Sequence, residues 1–138
     1  MSKAFRAFAL VMLALLGSAA FAGGRPIPMV EIIDAPVIWP DGQVGDLQTV
    51  QKAVLSGLFD KGWVGRVVSP GVVQATLRRD DWTCEIAVTF NTANYSIKYV
   101  NSTNLDYDAS THVIHRNFNK WLVLLQQRID LHMMQAGT

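Results

Sequence analysis

Ser102, Asn104, Tyr107, His115 and Asn119 place hydroxyl, amide and imidazole groups within one short stretch. The first three fall in a loop expected after the last strand. His115 and Asn119, four apart, are expected on one face of the helix that follows. If loop and helix start converge, these groups can hydrogen-bond a small polar ligand. The same residue types also tie a loop to its own backbone, and buried polar groups need partners whatever the protein does. The competing expectation is therefore a set of braces.

Two other chemistries use neighbouring residues. Cys84 with His115 and Asn119 supplies the residue types of a thiol hydrolase, which needs an accessible, electropositive cysteine and a nearby base. Cys84, however, alternates with Trp82, Ile86 and Val88. It therefore belongs to an apolar strand face, where burial raises a thiol pKa. His112 and His115, three apart, would share a metal only if Asp108 joined them, and no cysteine ligand lies near. The spacing thus assigns no metal site, no cofactor and no catalytic residue. The Arg78-Arg79 pair beside Asp80-Asp81 reads as a solvated turn.

Composition limits the partners. Half the 138 residues are hydrophobic and 17% are charged, which excludes bulk disorder and a coiled coil. Lys3 and Arg6 precede an apolar run, Ala7 to Leu16, and the small residues Ala20 and Ala22. This is the pattern of a cleaved export signal over residues 1–22. Removing those two cations takes the formal charge from +1 to −1, so neither nucleic acid nor anionic lipid is an electrostatic partner. No cysteine stands near the cut to accept a lipid anchor. The lone cysteine also excludes an internal disulfide. The expected location is the periplasm, and the expected partner is an envelope protein or a small polar ligand.

The elements that must position these groups follow from periodicity. Pro26, Pro28, Pro36 and Pro40 lie among apolar residues in 23–45, so this stretch is an extended arm lying on the domain, partly as an edge strand. Residues 46–138 form a single domain. Asp46 offers a cap for a helix from about Leu47 to Lys61 that stops at Gly62. From Trp63 the period becomes two. Val73-Ala75-Leu77, Trp82 to Phe90, and Tyr95-Ile97-Tyr99 each alternate with polar residues. A turn at Asp80-Asp81 sets Leu77 opposite Cys84 and Ala75 opposite Ile86. The other face (Gln74, Thr76, Arg78, Thr83, Glu85, Thr89, Ser96, Lys98) is polar and open to water or to a partner. Ser110 or Thr111 then caps a long helix whose stripe runs Ile114, Phe118, Trp121, Leu122, Leu125 and Ile129. The expectation is an α+β two-layer sandwich. It has a four-stranded antiparallel meander with two helices on one face, in the order α-β-β-β-β-α.

Several segments together resemble a known group. They are Val50-Gln51-Lys52-Ala53-Val54, Lys61-Gly62-Trp63, Pro70-Gly71, Tyr95-Ser96-Ile97-Lys98-Tyr99, Ser102, Asn104-Leu105, Tyr107, and Ile114-His115-Arg116-Asn117-Phe118-Asn119-Lys120-Trp121. From about Ile32 to Ile129 the chain resembles a family of small, uncharacterised bacterial exported proteins, many of which are described as lipoproteins. The resemblance implies an envelope location and no particular activity. The chain departs from the pattern twice. The lipid-accepting cysteine is missing, and Phe118 stands where the resemblance implies tyrosine.

Overall fold

The computed structural model describes residues 24–136; the export signal expected over 1–22 lies outside them. The proline-rich arm is extended, as its missing amide donors require. It supplies β1 (Ile27–Pro28), β2 (Ile32–Pro36) and a 3-10 turn at Pro40–Gly42. Helix α1 spans Leu47–Asp60, and the Asp46 carboxylate accepts from the Thr49 amide at 3.0 Å. Its end is a Schellman turn. Gly62 takes φ +84° and donates to Phe59 O, while Trp63 N donates to Leu58 O, so carbonyls left free by the helix end find donors.

Strands β3 (Val64–Ser69), β4 (Val72–Arg78), β5 (Thr83–Phe90) and β6 (Asn94–Thr103) follow. All neighbours are antiparallel, and Leu77 pairs with Cys84 and Ala75 with Ile86, as the alternation predicts. The sheet is nevertheless five-stranded rather than four-stranded, because β2 of the arm pairs with β6. Its order is β2-β6-β5-β4-β3, so the meander keeps one covered edge and one bare edge. The class is α+β.

The buried face of the sheet carries Val73, Ala75, Cys84, Ile86, Val88 and Ile97, each at most 1% exposed. Both helices pack on it. Gly65 of β3 lies against Leu55 and Leu58 of α1. Tyr95 of β6 donates its hydroxyl to Asp130 of the second helix at 2.7 Å. Burial raises the Asp130 pKa, and that hydrogen bond opposes the rise.

Two further expectations need correction. The second helix, α2, spans Asn117–Met134 and has no side-chain cap; Ser110 and Thr111 do not begin it. The Asp108 carboxylate instead accepts from Ser110 N, Ser110 Oγ and Thr111 N, folding the stretch into a turn. Val113–Ile114 then form β7, which pairs with β1. Ile114 therefore reaches the core from a strand, although it stands four residues before Phe118 as a helical residue would. Ser96 was expected on the open face in water, yet it is 6% exposed. The arm covers it, and its Oγ accepts from Asp34 N at 2.9 Å, where β2 is irregular and Asp34 takes φ +51°.

Candidate functional site

A bulge in β6 builds the centre of the expected polar cluster. Glu85 pairs with Asn101 but Ile86 pairs with Tyr99, so Val100 is the extra residue. Residues three apart on a regular strand point to opposite faces; the extra residue restores Tyr99 and Ser102 to the same face. Their hydroxyls lie 2.7 Å apart. Tyr107 stacks on Tyr99 with ring centroids at 4.2 Å, and Phe118 meets Tyr99 edge-on at 5.8 Å. Burial raises the Tyr99 pKa, and the bond to Ser102 opposes that rise.

The remaining members point elsewhere. Asn104 sits at φ +57° and donates Nδ2 to Asp81 O at 2.7 Å, tying the end of β6 to the β4–β5 turn. His115 precedes α2, so it does not share a helical face with Asn119. Its amide donates to Leu105 O at 2.8 Å, and its Nδ1 accepts from Asn117 N at 3.1 Å. An accepting Nδ1 leaves the proton of a neutral ring on Nε2. Asn119 uses both ends of its amide on the arm: Oδ1 accepts from Val30 N at 2.9 Å, and Nδ2 donates to Pro28 O at 3.0 Å. Glu31 adds a further tie, accepting from Tyr99 N at 2.7 Å. Ser102 and Tyr107 thus meet through Tyr99, whereas Asn104, His115 and Asn119 stitch separate segments together.

This division is testable. Asn119→Ala removes two hydrogen bonds to the arm, each worth about 1 kcal/mol net. We expect about 1–2 kcal/mol lower stability by denaturant melts. Amide exchange should accelerate at Val30, with the α1 amides unaffected. Unchanged exchange at Val30 would mean that the Asn119 bonds add nothing to the strand pairings that hold the arm.

The thiol is sealed. Cys84 has no exposed surface, and burial, with the charge of Glu85 adding to it, pushes its pKa up to about 12. Essentially none of it is thiolate at neutral pH, and no hydrogen bond links it to His115. Among the described residues, no group of three or more His, Cys, Asp or Glu converges as a metal site. Asp108, required for the His112–His115 pair, is committed to its own turn, and those hydrogen bonds lower its pKa. No described helix is long and apolar enough to cross a membrane. No family model, curated protein or solved structure matches the chain.

Two features lie outside the residues chosen from the sequence. The first is the bare edge strand β3, whose six residues are all exposed. The second is a cavity of about 200 Å³ at the end of the sheet, bounded by Lys61, Trp63, Arg79, Trp82 and Trp121. Periodicity assigns Trp121 to the core stripe and Lys61 to a helix end, so neither signals a cavity. The one available hint was local: Arg79 and Trp82 flank a tight turn, where the apolar face of the strands runs out and an indole is only partly buried.

Proposed function

We propose that this chain is an exported, non-enzymatic binding protein of the bacterial envelope, cut after Ala22 and without a lipid anchor. In this reading it takes an extended segment of another envelope protein along the outer edge of β3. The observation that carries it is the contrast between the two edges of the sheet. The β6 edge is covered by β2 of the chain's own arm, a strand that ends in Pro36. Among the described residues, nothing pairs with the outer side of β3.

Exposed edges are ordinarily protected by proline, lysine, inward charge, a bulge or brevity, and of these β3 has an irregularity only at its far end, between Val67 and Ser69. Strand β3 presents Val64, Val67 and Val68 at 74, 44 and 51% exposure, and Phe59, just before the turn into it, is 80% exposed. Its one charged side chain, Arg66, is held by Gln74 at 3.1 Å. Free backbone donors and acceptors beside open valines are what strand addition uses: the main chain supplies affinity and the side chains selectivity. The Ser102–Asn119 residues serve this reading as braces that hold the sheet and arm, and the resemblance to exported proteins supports an envelope location for it.

The test is a photo-crosslinking residue at Val67 in the full-length chain, expressed in its own cell type. One discrete adduct is expected in the periplasmic fraction, with the crosslink falling in an extended segment of a second protein. The same crosslinker at Lys98, on the open face, should give no such adduct. Equal adducts at both positions, no adduct, or a product made only of two copies of this chain would overturn the reading.

A further inference from the structure

We propose that the cavity at the end of the sheet is a binding site for a small aromatic monocarboxylate. It stands apart from the edge reading, because no β3 residue lines it. Its walls come from four places: the turn after α1, the end of β4, the β4–β5 turn and the flank of α2 that carries Trp121 and Leu124.

Three of the chain's four tryptophans line it. Trp82 and Trp121 stack with centroids 4.7 Å apart and planes 17° apart, one ring behind the other in a layered indole wall. Leu77 and Leu124 extend the apolar lining. At about 200 Å³ the space lies below the roughly 300–1,000 Å³ of sites for drug-sized ligands, which selects a body of about one ring. Offset stacking or edge contact with indoles favours a flat aromatic over a branched aliphatic.

Charge decides the other half of the ligand. Lys61 and Arg79 are the charged residues of the lining, and both are cations. Neither forms an ion pair among the described residues, since Asp60, beside Lys61 in the chain, is taken by Arg128 and His132. Arg79 gives one nitrogen to Arg78 O at 3.0 Å, and its guanidinium carbon stands 5.9 Å from the centre of the Trp82 ring. A guanidinium steadied on an indole face offers its remaining N–H groups as a fork suited to a carboxylate, and a lysine beside it adds a second positive charge. A ring in the indole pocket with its carboxylate at Arg79 and Lys61 pairs both cations and covers the apolar part of the lining.

The test titrates the full chain with phenylacetate and with phenylacetamide, its neutral counterpart, and follows tryptophan fluorescence and the indole N–H signals by NMR. We expect a saturable response to phenylacetate that moves the Trp63, Trp82 and Trp121 indoles and leaves Trp39 in place. Affinity for phenylacetamide should be at least tenfold lower. Arg79→Gln should weaken phenylacetate at least tenfold with unchanged melting. Lys61→Gln, which leaves the indole wall untouched, should weaken it several-fold. Equal binding of acid and amide, full affinity in both glutamine variants, a response at Trp39 alone or no saturable response would each overturn the proposal.

Discussion

Replacing Gly57 by valine lowers the stability of this protein by about 2–3 kcal/mol, the cost typical of overpacking a well-filled interior. Gly57 is the point where α1 crosses α2. A Cβ built there would lie 2.9 Å from Ile129 Cγ1 and 3.0 Å from Ile129 N. A side-chain tip can rotate away, but a helix backbone cannot, so α2 must shift as a body or α1 must lift from the sheet. Alanine in place of a helical glycine recovers about 1 kcal/mol of helix propensity. Valine recovers less, because its branched side chain is restricted within a helix. Steric cost therefore wins. The denaturation midpoint should fall by roughly 10 °C, as 2–3 kcal/mol implies for a domain of this size. A variant that melts with the parent would show that the helices do not touch at this position.

Phe118→Ala is expected to cost about 3–5 kcal/mol, the range for deleting a buried phenylalanine side chain. Phe118 has no exposed surface. It lies in the first turn of α2, with the Tyr99 ring meeting it edge-on at an interplanar angle of 75°. Truncation leaves a cavity under the Tyr99–Tyr107 stack. Amide exchange should therefore rise across β6 near Tyr99 as well as at the start of α2. Phe118→Tyr is expected to cost less, about 1–2 kcal/mol for a hydroxyl that must find a buried partner. Chemical denaturation of the three proteins checks the order. Equal stability of the alanine variant and the parent would mean that the start of α2 is not packed on the sheet.

The parts of the fold that were legible in the sequence are those set by neighbours in the chain. Asp46 and Gly62 bracket α1 because a cap and a left-handed stop each act within a few residues. Alternation through β4, β5 and the first half of β6 predicts both the buried face and the pairing of Leu77 with Cys84. What escaped was the work of irregular residues and distant partners. Ile114 and Phe118, four apart, imitate one helical face while belonging to a strand and a helix. The bulge at Val100 cannot be seen in a pattern of period two, yet it decides that Ser102 meets Tyr99. Ser96 looks solvated until the arm, some sixty residues earlier, lies over it.

The candidate site divides along the same line. Ser102, Asn104, Tyr107, His115 and Asn119 were identifiable as polar groups needing partners, because their types announce hydrogen bonding wherever they sit. Which partners they take was decided by tertiary structure. Asn119 closes on the backbone of the arm and His115 on Leu105, since a polar group near the interior bonds whatever carbonyl or amide the packing brings within reach. The cavity of indoles and cations follows the same logic in reverse. Lys61, Arg79 and Trp121 are far apart in the chain, and only the closure of two helices over one sheet end sets them around a common space. Local chemistry wrote the helices, the alternating strands and the α+β class into the order of residues. Long-range packing chose the fifth strand, left β3 bare and joined the cations to the tryptophans, because those arrangements depend on surfaces that exist only after the chain has folded.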